Sequence, residues 1–264
     1  IRLTRVSDQQ PIAEHATGVF AGVAARWYQA ELMSTGVVLD RIKVGVGDVY
    51  VVAGQSNAVS PRQPANYVYP RPSVEGRVII SDFYGQGPFS FLDALNDIPG
   101  VNQGCIAWIN TGVVLNRSYP VAFVNVAQGN TSTVQWASGT LFDRLLEAAA
   151  SYRPKAILWH QGESDAAAGT SQAISFANMD GMVTRLAGVV ATPWVVAINS
   201  SVPSYAPIRA AQAQLLSKWV AMTPPIVFEG PDTDPLRDGQ VEFLGARIAD
   251  MGQAFAARLV ALGL

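Results

Sequence analysis

A serine flanked by small polar residues follows an apolar run in the first quarter of the chain. Val49 to Val52 is continuously apolar and rich in β-branched residues, which predicts a strand buried on both faces. The strand ends at Gly54-Gln55-Ser56-Asn57, a small polar turn. Open α/β sheets bind ligands at the carboxyl ends of their parallel strands, so Ser56 is a candidate nucleophile. On its own, this turn is better explained as an ordinary exit from a strand.

Two further apolar runs end in polar clusters. The first, Ala156 to Trp159, is followed by His160 to Asp165, which reads His-Gln-Gly-Glu-Ser-Asp. The second, Val121 to Ala127, is followed by the small polar turn Gln128 to Ser132. Because the carboxyl ends of parallel strands meet at one edge of a sheet, the sequence predicts one polar site that combines all three turns.

The motifs Gly-Gln-Ser-Asn and His-Gln-Gly-Glu-Ser-Asp together resemble those of the SGNH/GDSL-type esterase superfamily. The similarity is greatest to the branch of sialate O-acetylesterases and acetylxylan esterases, and it extends from Asp48 to the C-terminus. The resemblance implies a flavodoxin-like SGNH hydrolase fold, an α/β fold with helices on both faces of a parallel sheet. It also implies serine-dependent removal of O-acetyl groups from a carbohydrate, without a metal or a nucleotide cofactor.

Composition and periodicity agree with a large α/β domain. The chain has 264 residues, of which 49% are hydrophobic, and a formal net charge of −2. The charge balance lacks the basic excess of a nucleic-acid binder, and no apolar stretch is long enough to cross a membrane. Helical patterns at Ile174–Val190, Ala206–Met222 and Ile248–Leu262 alternate with the strand patterns, which indicates a parallel sheet. The oligomeric state stays open.

Residues 1–47 have a different character from the esterase-like domain predicted for residues 48–264. Tyr28 to Leu32 alternates apolar and polar residues, as a half-buried strand does. Val37–Leu39 and Ile42–Val44 are typical of short strand pieces separated by Asp40-Arg41. We interpret residues 1–47 as an N-terminal β extension, packed on the domain or left from a neighbouring module. A first residue other than Met predicts a processed or excised chain that has lost any secretion signal. We expect a location outside the cell or at its surface.

The resemblance assigns chemical roles to the first two turns. Ser56 would attack the acetyl carbonyl, and the resulting oxyanion would be stabilised by donors already aimed at it. Those donors would be the backbone N–H groups of Ser56 and Gly129 and the side chain of Gln161. The family usually has two glycines in the second turn, and Asn130 stands at the second of these positions.

Three further residues would support this site. The resemblance gives Asn57, His160 and Glu163 supporting roles, with Glu163 accepting hydrogen bonds from the nucleophile loop. The loop from Ser60 to Pro72 contains four prolines and follows the nucleophile, so it is expected to lie over the site. Its Tyr67 and Tyr69 would either form a sugar-binding wall or pack the loop down.

The chain departs from the family pattern near its end. The final family motif usually reads Asp-x-x-His, and the segment Arg237–Phe243 contains no histidine. Asp238 fits the acidic position, and Glu242 stands in the place of the histidine with a spacing one residue longer. The two histidines of the chain are His160 and His15, and no motif surrounds His15.

Three interpretations of this difference remain open. The chain is an esterase variant without its base, a carbohydrate-binding pseudoenzyme that kept the pocket, or an esterase in which Glu242 acts as the base. A carboxylate with a pKa of about 4.3 is a much weaker proton acceptor than imidazole. We favour an esterase scaffold that lacks an effective base, with Ser56, Asp238 and Glu242 in the catalytic positions. A lipase or thioesterase acting on longer acyl chains is the enzymatic alternative.

Overall fold

The computed structural model describes most of the chain and places its strands in two sheets. The described residues are 1–14, 20–60, 78–82, 90–91, 106–115, 117–198, 205–222, 225–233, 235, 243 and 246–264. The predicted loop residues Tyr67 and Tyr69, as well as His15, lie outside this set. None of the helices that the structure describes has an apolar stretch long enough to cross a membrane.

The first sheet is antiparallel and lies within the predicted N-terminal extension. Its strands are β1 (Arg2–Arg5), β2 (Pro11–Glu14), β3 (Arg26–Ser34) and β4 (Val37–Val46), in the order β2-β1-β3-β4. The prediction of two separate strand pieces around Asp40-Arg41 was wrong, because β4 is continuous. An irregularity in the β3–β4 register accommodates this, since Leu32 pairs with Asp40 and Met33 with Val38. A bulge of this kind lets a ladder continue past an extra residue.

The second sheet has seven strands in the described residues and carries the candidate turns. The strands are β5 (Asp48–Gly54), β6 (Val78–Asp82), β7 (Ser90–Phe91), β8 (Val121–Asn125), β9 (Ala156–His160), β10 (Trp194–Ile198) and β11 (Val227–Asp232). Their order is β11-β10-β9-β5-β8-β6-β7, and all neighbours are parallel except β6 and β7. The chain leaves β5 towards β6 on one side of the sheet and leaves β9 towards β10 on the other. This reversal marks the carboxyl ends of β5 and β9 as the place for a ligand crevice.

Helices cover both faces of the second sheet, as predicted. They are α1 (Ser56–Val59), α2 (Ile106–Leu115), α3 (Thr133–Trp136), α4 (Thr140–Tyr152), α5 (Glu163–Ala167), α6 (Gln172–Ala187), α7 (Ala206–Val220) and α8 (Ala246–Leu262). Tyr50 and Val52 pack in one apolar cluster with α2 and α8. Val51 and Ala53 point to the opposite face and pack with α4, α6 and α7. This alternation follows from the two-residue period of a strand, with both faces buried.

Two residues on either side of the short turn between α3 and α4 have their places fixed by packing and by backbone conformation. Trp136 is fully buried, and its ring meets that of Trp159 edge-on with centroids 5.4 Å apart. Trp136 therefore packs in the core. Thr140 is the first residue of α4, and Gly139, with a φ of 77°, takes the N-cap position. Glycine adopts a positive φ at little cost, which suits this sharp entry.

Tight backbone packing and an ion cluster hold the amino end of β5. A Cβ on Gly47 would lie 1.8 Å from the Pro120 carbonyl oxygen, so only glycine fits between β4 and β5. The Asp48 carboxylate lies 3.2 Å from Lys155 Nζ and 3.7 Å from Arg117 Nε. It also accepts a hydrogen bond of 3.1 Å from the Tyr119 hydroxyl.

Candidate active site

The turn after β5 is fixed against the turn after β9 by backbone contacts. Gly54 has a φ of 129°, and a Cβ there would lie 1.9 Å from the His160 carbonyl oxygen. Only glycine tolerates both the conformation and this approach. The Gln55 N–H donates to the same oxygen at 3.1 Å, and the Gln55 side chain accepts from the Ser164 N–H at 2.9 Å. The position of the next residue, Ser56, is therefore set by two neighbouring strands.

Ser56 and Gly129 lie next to each other at this edge of the sheet. Ser56 is half-buried and begins helix α1. A Cβ placed on Gly129 would lie 3.9 Å from the Ser56 Cβ, so the backbone of the second turn faces the serine. Gly129 is exposed, and its N–H donates no hydrogen bond to any described residue. The second turn therefore lies directly beside the serine.

Asn130 provides the backbone conformation expected of the second family glycine. Its φ is 57°, in the left-handed region. Asparagine enters this region more readily than most residues because its short amide bonds locally with the backbone. The loss of a glycine at this position is therefore compatible with the same turn.

Asn57 connects the nucleophile helix to two other segments of the site. Its side-chain amide donates to the Glu163 carboxylate at 2.7 Å, the kind of contact expected for Glu163. Its side-chain oxygen accepts from the Phe243 N–H at 2.9 Å. All three residues are buried. Phe243 directly follows Glu242 in the sequence, whereas Glu242 and Asp238 themselves fall outside the described ranges.

His160 lies in the packed interior beneath the nucleophile turn. Its side chain is fully buried, and Nδ1 lies 3.7 Å from the Glu163 carboxylate. Its ring meets that of Phe243 edge-on, with centroids 5.6 Å apart. These neighbours hold the imidazole between a carboxylate and an aromatic ring.

Gln161 uses its side-chain amide within the protein. Nε2 donates to the Thr131 carbonyl oxygen at 2.5 Å and to the Asp165 carboxylate at 3.1 Å. A primary amide carries two hydrogens, so both have an acceptor in this structure. An oxyanion role for Gln161, as predicted, would require one of these bonds to be exchanged for the substrate oxygen.

Asp165 is a site residue to which sequence reasoning gave no role. Its fully buried carboxylate accepts from the Thr133 N–H at 2.9 Å and from the Thr133 hydroxyl at 2.6 Å, besides the Gln161 amide. The sequence feature that could have identified Asp165 is its place at the end of the His-Gln-Gly-Glu-Ser-Asp motif. Its partner Thr133 stands 32 residues earlier, and no local pattern links the two.

The fold is the α/β fold of SGNH-type hydrolases. Within the residues that the structure describes, a serine lies at the end of the central strand, beside a buried polar cluster and a backbone N–H that has no acceptor among them. A family model, described as carbohydrate esterase, sialic acid-specific acetylesterase, matches residues 84–229, more than half of the chain. The chain belongs to this family of carbohydrate esterases. Comparison with curated proteins finds no matching sequence.

Solved structures share the fold at low sequence identity. A carbohydrate acetylesterase from Xanthomonas citri is 15% identical with a TM-score of 0.65, covering 100% of this chain and 69% of its own. A protein from Arabidopsis thaliana is 17% identical with a TM-score of 0.63, covering 81% and 98%. A family two carbohydrate esterase from Cellvibrio japonicus is 12% identical with a TM-score of 0.55, covering 86% and 64%.

Proposed function

We propose that this chain is a serine-dependent carbohydrate O-acetylesterase scaffold in which Ser56 is the nucleophile. The observation that carries this proposal is the proximity of Ser56 to the Gly129 turn, with 3.9 Å between the Ser56 Cβ and a Cβ built on Gly129. Acyl transfer needs a nucleophile that reaches the carbonyl carbon and a hydrogen-bond donor that reaches the carbonyl oxygen. Membership of the acetylesterase family supports an acetylated carbohydrate as the substrate.

The reaction would proceed in two acyl-transfer steps. Ser56 Oγ attacks the acetyl carbon, and the carbonyl oxygen becomes an oxyanion that the Ser56 and Gly129 N–H groups stabilise. The carbon–oxygen bond to the sugar then breaks, and the sugar oxygen receives the proton that left Ser56. Water attacks the acetyl-serine in the same way, which releases acetate and restores the hydroxyl of Ser56.

Gln161 is proposed as the third oxyanion donor. Its amide lies beside the Gly129 turn, 2.5 Å from the Thr131 carbonyl oxygen. Rotation of this amide would exchange the bond to Thr131 for one to the oxyanion. The bond to Asp165 would keep the side chain in place during the exchange.

The proposed site differs from the family pattern in its general base. We infer that Glu242, oriented by Asp238, stands where the family has histidine. The hydrogen bond from the Phe243 N–H to Asn57 supports this inference, because it ties the residue after Glu242 to the nucleophile helix. An ordinary carboxylate, with a pKa of about 4.3, accepts the serine proton poorly at neutral pH. The proposed scaffold is therefore a slow esterase.

A carbohydrate-binding pseudoenzyme is the second candidate. The chain has two histidines, and the one that the structure describes, His160, is fully buried against Glu163 and Phe243. A pocket that keeps its shape without an imidazole would bind an acetylated glycan without cleaving it. An acetylated glycan as ligand also favours the extracellular or surface location predicted from the sequence.

Hydrolysis of p-nitrophenyl acetate at pH 8 tests the proposal. In a serine protease, removing the histidine lowers turnover by on the order of 10⁶. The unmodified chain is therefore expected to act barely above background, and Glu242→His to raise activity by several orders of magnitude. Ser56→Ala in each background is the blank. If the unmodified chain and Glu242→His are both inactive but both bind acetylated glycans, the protein is a pseudoenzyme. Faster hydrolysis of p-nitrophenyl octanoate than of p-nitrophenyl acetate would establish a lipase-like enzyme.

A further inference from the structure

The Gly129 turn is held at both of its ends by hydrogen bonds. Before the turn, the Gln128 N–H donates to the Gly54 carbonyl oxygen at 2.9 Å, which continues the β5–β8 ladder. After the turn, the Thr131 carbonyl oxygen accepts from Gln161, and Thr133 donates to Asp165. Gly129 and Asn130 lie exposed between these two anchors. The direction of the Gly129 N–H therefore depends on both.

Asp165 is the common acceptor of the second anchor. One carboxylate oxygen accepts from the Thr133 hydroxyl at 2.6 Å, and the other accepts from the Thr133 N–H at 2.9 Å and from Gln161 at 3.1 Å. A carboxylate offers acceptors only, and this one meets three donors in a fully buried place. An asparagine at this position would replace one acceptor oxygen by an NH₂ group, for which only the Thr133 hydroxyl, of the three partners, could act as acceptor.

The same segment is bound to the nucleophile turn. Ser164 donates to the Gln55 side chain, and Glu163 accepts from Asn57. Asp165 is the next residue along helix α5. One short helix thus fixes the serine turn through residues 163 and 164 and the oxyanion turn through residue 165.

We propose that Asp165 is a positioning residue that sets the distance between the Gly129 N–H and Ser56. This inference rests on the proposed function, in which Gly129 stabilises the oxyanion. Oxyanion donors act when they lie 2.7–3.1 Å from the developing charge, and a displacement of about 1 Å can cost about 10²-fold in rate. Loss of the Asp165 acceptor would relax the turn and weaken this stabilisation, without removing any group that touches the substrate.

The test is the rate at which diethyl p-nitrophenyl phosphate modifies Ser56, followed by mass spectrometry of the intact chain. Nucleophilic attack on this reagent also develops charge on an oxygen that the oxyanion donors face. We expect Asp165→Asn to lower the maximal rate of modification about 10- to 100-fold. The reagent concentration at half-saturation should stay unchanged, because the groups that contact it remain.

The matched control is Asp180→Asn. Asp180 likewise accepts from several groups, Lys218 Nζ at 2.6 Å and Trp219 Nε1 at 2.9 Å, but it joins α6 to α7. This variant should lose stability and keep the parental rate of modification. If Asp165→Asn fails to fold, Thr133→Val is the second variant and should lower the rate several-fold. It removes the hydroxyl that donates to Asp165 and accepts from Asn178 at 3.3 Å, and it keeps the Thr133 N–H bond to Asp165.

The outcomes separate the two proposals. A parental rate in a folded Asp165→Asn, or in a folded Thr133→Val when Asp165→Asn does not fold, would overturn the positioning role alone. An equal fall in the Asp180→Asn control would also overturn it, because the effect would then follow stability. If Ser56 of the unmodified chain is not modified at all, the nucleophile assignment fails, and the positioning inference fails with it.

Discussion

The two ends of strand β5 are held by different kinds of interaction. At the amino end, the partly exposed Asp48 carboxylate meets the cations of Lys155 and Arg117. At the edge of the sheet where β5 ends, the buried Asp165 carboxylate of helix α5 meets neutral donors from Thr133 and Gln161. Ion pairs tolerate changes of distance and angle, whereas hydrogen bonds weaken steeply as their angle departs from linear. The interactions at the amino end of β5 therefore contribute to the stability of the fold, whereas those at the carboxyl end fix the positions of the site residues.

Replacing a glycine at each end of β5 by alanine tests this difference with the largest expected loss of stability. Gly54→Ala would put a Cβ 1.9 Å from the His160 carbonyl oxygen and force an alanine to a φ of 129°. We expect a loss of about 4 kcal/mol in the free energy of unfolding, or failure to fold. Gly47→Ala brings a similar clash, 1.8 Å from the Pro120 oxygen, at the other end.

Urea unfolding and the rate of Ser56 modification distinguish the two glycine variants. Both variants should be destabilised. In the molecules of Gly47→Ala that fold, diethyl p-nitrophenyl phosphate should modify Ser56 at the parental rate. Folded molecules of Gly54→Ala should react more slowly, since their serine turn must shift away from β9. Parental stability in Gly54→Ala would contradict the close approach of the two turns.

Gln161→Ala tests the carboxyl end without a backbone clash. In the Glu242→His background, we expect it to lower turnover roughly 10²–10³-fold with little change in folding, as for other oxyanion donors. Steady-state kinetics with p-nitrophenyl acetate and thermal unfolding measure the two effects. An unchanged turnover number would remove Gln161 from the oxyanion site.

Asp48→Asn should have a smaller effect, confined to stability. The ion cluster is partly exposed, so its loss should cost about 1 kcal/mol in the free energy of unfolding, and less at high salt. Urea unfolding at low and high ionic strength measures the cost. The rate of Ser56 modification should match that of the unmodified chain, and a changed rate would show that the amino end also influences the site.

The smallest effect is expected from Tyr50→Phe and appears only at alkaline pH. Burial raises the pKa of Tyr50 above its usual value, and the charge of Asp48 raises it further. An unfolded tyrosine ionises near pH 10, whereas the folded one keeps its proton. The protonated Tyr50 hydroxyl thus makes its full contribution to the free energy of unfolding below about pH 10, and this contribution falls as the pH rises towards the pKa of the folded state. The phenylalanine variant should show a shallower fall between pH 10 and 11 in urea unfolding, and an equal fall in both proteins would contradict the raised pKa.

Much of the second sheet was predictable because its strands are short apolar runs with both faces buried. The predicted run Ala156 to Trp159 is one residue shorter than β9, and the predicted run Val49 to Val52 lies within β5. Strands β1 and β2 were not predicted. They have four residues each, and β2 is mostly exposed, so neither carries a clear apolar period.

The site was predictable where its residues lie in one motif. The sequence motifs pointed to Ser56, Gly129 and Glu163, and the structure brings the turns that contain them together. The hydrogen bonds of Asp165 were not predictable, because its partner Thr133 stands 32 residues earlier in the chain and no local pattern links the two residues. The structure leaves the role of Gln161 as a prediction, since its amide is engaged with Thr131 and Asp165.

The most direct test of Ser56 as the nucleophile is to locate the covalent adduct that diethyl p-nitrophenyl phosphate forms. Peptide mass spectrometry after a long incubation at pH 8 should find one diethyl phosphate group, on the peptide that contains Gly54-Gln55-Ser56-Asn57. The Ser56→Ala variant should carry none. An adduct on another residue, or equal labelling of Ser56→Ala, would show that Ser56 is not the nucleophile of this esterase scaffold.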